Sequence, residues 1–575
     1  MPNLNCAPDV SLVTRRQWLR TVPGPVLGVT LATAFALETP ADGQATKSSP
    51  PAGAKVYDIT AYGAVGDGRT LNTKAVQAAV DACHADGGGT VLVPAGAFRI
   101  GTVELRSFVT LHISAAGTLL GSAAGVDYHA VKAIPLTGDS TLNDGNWALL
   151  FAVGQKNIVV EGPGKIDGQG AQFHSEVRGK KPPSELSGND RPYHILMYQC
   201  EDVRLRDMSL VDCAYHSIRI IQSKRIFIDS LFIHNRVNGN NDGFHFISAE
   251  HVTVSNCTVY SQDDGCAMFG SCKYITVTNS TFSTRWSVFR FGGGVAENIT
   301  VSNCILTQVF GCPIKFQGND GSRFENISFS NLILQEVTGP IHISVGPRPK
   351  QTVNPGLQPE QAAARPPAVC RNISFSNISG NVATTHGNLP ETNLKDDVLR
   401  DGEGHNCITL NCAGNATMEN ISLSNIHLTF GGGGTAADAA RRDLPQIAGE
   451  YFMLGPMPAY GLYARNVHGL SLSDIRLGTS TPDMRPAVIL DHVQDAAISM
   501  VSVQANAAAE SAMRIIDSKD VLVASARLTT ATATFLQVEG SANERITLDG
   551  GDISRAATAV AYMQGASASV VTRRS

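Results

Sequence analysis

Along most of the chain a short pattern recurs: a polar residue, then an alternating run of apolar and polar positions, then Asn, Asp or Gly. Copies begin at Asn157, Asp202, Arg225, His251, Tyr274, Asn298 and Asn326, and further ones at Asn372, Asn420, Gly469, Asp495, Asp520 and Arg545. The alternation has period two, so each copy predicts a β-strand rather than a helix. From Val203 to Ile327 the first apolar positions are 23, 26, 23, 24 and 28 residues apart, and Ala496, Val521 and Ile546 are 25 apart. A sustained period of this size, built from strands, predicts a solenoid of the parallel β-helix type. A β-sandwich would not produce it. The gaps of 46 and 48 residues, to Ile373 and Ile421, read as about two coils each with room for inserted loops. One coil cannot bury its own apolar face, but stacked coils with strands ~4.8 Å apart share a continuous core. The repeated Ser-Asn after each strand places asparagines where ladders of side-chain hydrogen bonds can form.

The start of the repeat differs. Tyr57-Asp58-Ile59 is strand-like, and Gly63 to Gly68 is a turn-rich loop. Thr73 to His84 has an amphipathic helical pattern, with Ala75, Val76, Ala79, Val80 and Cys83 on one face. Gly87-Gly88-Gly89 ends that helix, and Thr90 to Pro94 returns to strand. A helix here would cap the open end of the solenoid against edge-to-edge pairing. Three stretches interrupt the repeat further on: Gly346 to Cys370, Asn381 to His405, and Gly431 to Tyr460. The last holds a short helical candidate near Ala436 to Leu444. The first two are expected to be surface loops that could wall a cleft and favour attack at chain ends, with disordered insertions as the equal alternative.

Composition narrows the class. With 45 Lys+Arg against 50 Asp+Glu the formal charge is −5, and 17% charged with 43% hydrophobic residues suits a large ordered protein. The mild acidity gives no support for nucleic-acid binding. High glycine (55 residues) and low aromatic content (6%) agree with strands and turns. Thr14, Arg15, Arg16, Gln17, Trp18, Leu19 and Arg20 read as a twin-arginine export signal, followed by an apolar stretch from Val22 to Leu37. That stretch is shorter than the ~20 residues of a membrane span and contains Pro23 and Pro25. Gly43-Gln44-Ala45 offers a cleavage site. The expected organisation is a signal peptide over 1–45 and one β-helix domain over 46–575. It predicts a bacterial periplasmic or secreted protein with no membrane span in the mature chain, as a monomer. Cys6 falls in the signal, and the remaining 11 of the 12 cysteines cannot all pair within the chain. They lack zinc-site spacing, so most are expected as buried small hydrophobes, with a few disulfides left open.

The chemistry is concentrated in acidic residues. Asn240-Asn241-Asp242-Gly243 precedes Phe244-His245-Phe246, and 21 residues after Asp242 comes Asp263-Asp264, ahead of Cys266-Ala267-Met268. That separation is about one coil, so Asp242 and the pair fall at similar positions on adjacent coils, on one face. Crowded like charges drive pKa values apart. Glycoside hydrolysis needs such a separation: a protonated acid for the leaving oxygen and an ionised carboxylate for water. The alternatives are turn aspartates capping β-arcs, or oxygen ligands of calcium.

Ala61-Tyr-Gly-Ala-Val-Gly-Asp-Gly68 with the helix after it resembles the start of the pectin-active parallel β-helix superfamily. Gly162-Pro-Gly-Lys-Ile-Asp-Gly-Gln-Gly170, Asn240-Asn241-Asp242 and Asp263-Asp264 resemble motifs of glycoside hydrolase family 28, the polygalacturonases and rhamnogalacturonases. The Gly-x-Gly in the first of these three is not read as a phosphate site, because no amphipathic helix follows. The resemblance, strongest at 57–70, 162–170 and 240–270, implies an all-β, right-handed parallel β-helix with a short N-terminal capping helix. It implies an inverting hydrolase of a pectin-like, uronic-acid-containing plant cell-wall polysaccharide, with no cofactor and no metal. Carried over by position, Asp263 is the general acid, while Asp242 and Asp264 hold and activate the water. Inverting carboxylates are typically ~6.5–9.5 Å apart, so lateral offset must add to coil stacking.

Downstream the resemblance weakens. Where the family has Gly-His-Gly this chain runs Arg285 to Gly292 without histidine, and where it has Arg-Ile-Lys this chain has Pro313-Ile314-Lys315. The resemblance gives Lys315 the role of binding a substrate carboxylate, with Arg290 substituting for the missing arginine; strand alternation puts both on the outer face. His245 and His216 are candidates for ring positioning or proton relay, and Trp286 for stacking on a sugar. Two alternatives remain on the same fold. One is a polysaccharide lyase using Ca²⁺ with an Arg or Lys base; the other is a non-catalytic glycan-binding protein.

Overall fold

The computed structural model of the chain describes residues 55–134, 145–173, 184–186, 188, 190–347, 365–385, 387, 389, 400 and 402–574. The twin-arginine segment and its cleavage site lie outside the described residues. So do 348–364 of the first expected loop and much of the second. Among the described residues 39 strands join in one sheet whose strand pairs are all parallel, the strands between the two ends mostly hydrogen-bonding to equivalents one coil before and one coil after. This is a right-handed parallel β-helix.

The predicted register is observed. Val203, Ile226, Val252, Ile275, Ile299 and Ile327 are successive Cα partners, one per coil. Their side chains point inward and join one apolar core running from Tyr57 to Leu548. Within it aromatic rings stack face to face from coil to coil, as Phe291 on Phe316 at 4.2 Å and Phe329 on Phe375 at 5.3 Å. Every residue named above as the start of a copy has a positive φ, from Arg545 at 51° to Gly469 at 74°. The left-handed turn there lets the coil corner without breaking the ladders, and it favours Asn, Asp and Gly. Asparagine ladders run along two corners. One links Asn298, Asn326, Asn372 and Asn420, and the other Asn303, Asn331, Asn377 and Asn425, with Nδ2 donating to the preceding Oδ1 at 2.8–3.2 Å.

One expectation is corrected. Ile327 pairs directly with Ile373, and Ile373 with Ile421. The gaps of 46 and 48 residues are therefore single coils with long insertions, not two coils. Residue spacing alone does not distinguish the two arrangements.

Helix α1 (Thr73–Ala85) buries Val76, Ala79, Val80 and Cys83, as its pattern predicts. The Asn72 side chain makes no cap bond to the helix. It accepts from Val65 N at 2.7 Å and donates to Thr70 O at 2.7 Å, tying the preceding loop to the helix start. Gly88, at φ 115°, ends the helix where a Cβ would strike Phe108 O at 2.5 Å. Helix α2 (Ala436–Ala440) is shorter than predicted: Arg441 leaves in an extended conformation and its guanidinium binds the carbonyls of Leu454 and Pro456. All eleven described cysteines are free and buried, so no disulfide forms among them.

Candidate active site

The carboxylates sit in the turns that lead into one stacked strand ladder. Phe244 pairs with Cys266, Gly243 N donates to Asp264 O at 2.9 Å, and Asp263 N donates to Asn241 O at 3.2 Å. Counting back along these strands, Asp264 stands on Asp242, and Asp263 lies one residue to the side. The expected one-coil juxtaposition is present. Asp242 and Asp264 are buried and Asp263 is half-buried.

The loop that delivers them is organised by its own polar side chains. Asn241 Oδ1 accepts from Val237 N and Asn238 N at 3.0 and 2.6 Å, while its Nδ2 donates to Cys213 O and Tyr215 O. Asn238 Nδ2 donates to Gly170 O at 2.8 Å. Thus the Gly162–Gly170 motif serves the site as a close-packed backbone support: a Cβ at Gly170 would lie 2.1 Å from Cys213 O. Asn240 Nδ2 reaches Asp263 Oδ2 at 3.2 Å, and Arg191 holds Asn240 Oδ1 at 3.2 Å.

On the outer face of the strand ladder, Arg219, His245, Ala267, Arg290, Lys315 and His342 are in register on successive coils. The predicted outward placement of Arg290 and Lys315 is observed, and they are direct Cα partners. His245 Nδ1 lies 2.8 Å from Asp242 Oδ2, and His216 Nε2 lies 3.6 Å from the same oxygen. The two imidazoles stack at 4.4 Å, and His245 stacks on Phe269 at 5.1 Å. His216, Asp242 and His245 together form a group whose possible ligand atoms lie within 4.8 Å of one another.

Burial first, then mutual repulsion with Asp263 and Asp264, pushes the Asp242 carboxyl well above its ordinary range. Burial and the Asp264 charge push Asp263 up to about 6, against the pull of Lys315 and Arg290. Asp264 is also raised by burial, opposed first by Arg290, whose Nε is 3.8 Å from Asp264 Oδ2. Both His216 and His245 are held neutral, by burial and by nearby positive charge. Burial and mutual repulsion thus raise the proton affinity of all three carboxylates, and Arg290 beside Asp264 favours ionisation there.

The insertion over 431–460 completes the site with a residue the repeat pattern did not reveal. Glu450 Oε1 accepts from Arg290 Nη1 at 3.0 Å and its Oε2 from Lys315 Nζ at 2.7 Å. These contacts bridge 160 and 135 residues, so no local spacing announces them. Trp286 faces this insertion. Lys315 Nζ and the Arg400 guanidinium each lie 4.7 Å from its ring centroid, and Phe452 meets it edge-on at 6.2 Å. Arg219, fully buried and bonded to Tyr193 Oη, was also not singled out by the sequence pattern.

The family model of Glycosyl hydrolases family 28 matches residues 83–441. The exo-poly-alpha-D-galacturonosidase of Dickeya chrysanthemi is 28% identical over 345 residues, 49% of this chain and 56% of that protein. The exopolygalacturonase of Zea mays is 26% identical over 372 residues, 59% of this chain and 79% of that protein. The match thus spans little more than half the length of the Dickeya protein. Among solved structures, the family 28 exopolygalacturonase of Yersinia enterocolitica superposes with a TM-score of 0.55 at 18% identity, covering 78% of this chain and 77% of that one. At that identity the superposition speaks to the fold alone.

Proposed function

The chain belongs to the glycosyl hydrolases family 28, and on that premise we propose that it is a secreted hydrolase of glycosidic bonds in a pectin-like, uronic-acid-containing polysaccharide, acting with inversion. The observation that carries the reading is the trio Asp242, Asp263 and Asp264, on adjacent coils, with their proton affinities raised by burial and by one another. Asp263, raised to about 6, holds the proton for the leaving oxygen. Asp264, beside Arg290, and Asp242, beside His245, hold and ionise toward the attacking water. The sideways step from the Asp242–Asp264 column to Asp263 supplies the lateral offset that an intervening water needs. The relatives named above act on galacturonides, which supports the substrate class. Export rests on the Arg15-Arg16 signal pattern.

A lyase would need Arg290 or Lys315 as a free base, and both are ion-paired to Glu450. The test is incubation of the purified protein and D263N with pectic and neutral polysaccharides. Reducing ends, ultraviolet absorbance with and without EDTA, and the anomer released, by NMR, are measured. New reducing ends of inverted anomeric configuration, lost in D263N, support the proposal. EDTA-sensitive absorbance means a lyase, and glycan binding without turnover means a binding protein.

A further inference from the structure

Glu450 is brought to the site by an arm laid along the outer face of the strands. Arg465 Nη1 donates to Leu444 O at 3.1 Å and its Nη2 to Pro445 O at 2.7 Å. Asn411 Nδ2 donates to Ile447 O at 2.9 Å and Ser344 Oγ to the same oxygen at 3.3 Å, and His342 Nε2 lies 3.2 Å from Gly449 O. Past Glu450 the arm is fixed by Asn406 Nδ2 on Tyr451 O at 2.8 Å. Arg465, Asn411 and Ser344 are Cα partners on successive coils, so from Leu444 to Gly449 the arm steps toward the catalytic turns and ends with its carboxylate on Lys315 and Arg290.

Resting on the hydrolase reading above, we propose that Glu450 is a specificity-determining residue. It supplies from the protein itself the carboxylate for the Arg290–Lys315 pair, so the sugar unit bound against that pair, next to Asp263 and Asp264, is an uncharged one.

The donors leave little alternative. Lys315 has no exposed side-chain surface, and its ammonium is directed to Glu450 and the Trp286 ring. Arg290 gives Nη1 to Glu450 and Nη2 to Gln317 Oε1 at 2.9 Å, and turns Nε toward Asp264. A uronate entering here would meet two cations, Arg290 and Lys315, that already hold Glu450, and would add a negative charge beside three aspartates and Glu450. Burial alone would raise Glu450, but Lys315 and Arg290 hold it well below the usual carboxylate range, which favours its charged form. Displacing it would strand a buried charge and strip the arm of its end contact. The hydroxyls of a neutral sugar ask for none of this. Uronate units of the same polymer can still bind at positions farther from the pair.

The test compares oligomers of galacturonic acid alone with oligomers in which galacturonic acid alternates with a neutral sugar, using wild type and E450Q. Mass spectrometry of the products identifies the sugars on each side of every cut. Wild type should cut only bonds with a neutral sugar on one side, with kcat/KM for the pure galacturonate oligomer at least tenfold lower. E450Q should raise that value tenfold or more. Equal cutting between two galacturonates by the wild type, or a proportional loss on both oligomers in E450Q, overturns the proposal. If wild type cuts neither oligomer, the hydrolase reading fails on its own. Calorimetry with the galacturonate oligomer then decides: tenfold tighter binding by D263N/E450Q than by D263N supports the role of Glu450, and equal binding overturns it. If E450Q does not fold, the wild-type product map still decides.

Discussion

His245 Nδ1 faces Asp242 Oδ2 at 2.8 Å, with its ring held in a stack between His216 and Phe269. Burial and the charges of Arg219 and Arg290 keep the imidazole neutral, so when Asp242 is ionised the ring serves it as a hydrogen-bond donor rather than as a counter-ion. A hydrogen bond to a charged group contributes about 1.5–3 kcal/mol, equivalent to roughly a ten- to hundredfold rate factor. H245A should lower kcat by that factor with KM little changed. It should also move the acidic limb of the pH profile upward, because Asp242 loses the bond that favours its ionised form. H245Q, which retains a donor, should recover part of both effects. Steady-state kinetics across pH checks this, and a uniform loss without a limb shift would assign His245 to packing alone.

The pH dependence has a definite sign. Asp263, at about 6, must carry its proton, so kcat/KM should fall as pH rises through about 6. Asp242 and Asp264 must share the ionised role, and both are raised above 3.8, so the acidic limb should lie above that value. Stability follows the same linkage. With Asp263 raised in the folded state, the native protein binds more protons than the unfolded chain between the ordinary carboxylate range and about 6. The stabilisation is therefore present at low pH and lost as pH rises through that window. D263N should be at least a hundredfold slower and should unfold at a temperature less sensitive to pH there. Thermal melts of both proteins from pH 4 to 7 read the difference.

Corners are where this fold writes itself into the sequence. Asn157, Asp202, Asn298 and Asn326 open their strands because the left-handed backbone there tolerates them, and that requirement repeats on every coil. Asp242 and Asp264 were legible for the same reason, as a one-coil spacing on a known period. The coil number between Ile327 and Ile421 was not, since an insertion adds residues without adding a coil. Glu450 was not either: its insertion stood out as a break in the repeat, but nothing local says which carboxylate folds back across 135 residues onto Lys315. Trp286 illustrates a middle case: its aromatic ring was legible as a candidate, but not that Lys315, Arg400 and Phe452 would lie against it.

The asparagine ladders make a second physical claim. Asn372, at φ 57°, donates to Asn326 Oδ1 at 3.0 Å and accepts from Asn420 Nδ2 at 3.2 Å. N372A loses both bonds and forces a left-handed turn on alanine, about 1–2 kcal/mol for the turn and about 0.5–1.5 kcal/mol per bond. N372G loses only the bonds, so it should be the milder change despite removing more atoms. Coils of a solenoid open locally. Amide exchange in the strands Val369–Val382 and Thr417–Phe430 should therefore rise more in N372A than in N372G. An equal rise in the two variants would mean that the ladder, lost in both, governs the corner rather than the backbone turn.

The arm that carries Glu450 is itself locked by a buried acid. Glu403 Oε1 accepts from Arg285 Nη1 at 3.2 Å and from Tyr451 Oη at 2.5 Å, while its Oε2 accepts from Arg400 N at 2.9 Å. Its side chain is fully buried, and burial plus the Glu403 charge keep the Tyr451 hydroxyl protonated as a donor. E403A leaves the Arg285 charge buried without this partner and should cost about 3–5 kcal/mol, much of it felt locally at Tyr451. Because Tyr451 is the chain neighbour of Glu450, the variant should also loosen the carboxylate from Lys315 and Arg290. Amide exchange over Tyr451–Leu454 should accelerate while that over Thr73–Ala85, at the far cap, stays unchanged. Replacing both charges, as R285L/E403L, should restore part of the global stability without restoring the Tyr451 anchor. Slow exchange at Tyr451 in that double variant would show that Asn406 and Arg441 suffice to hold the arm, and that Glu403 acts only through charge.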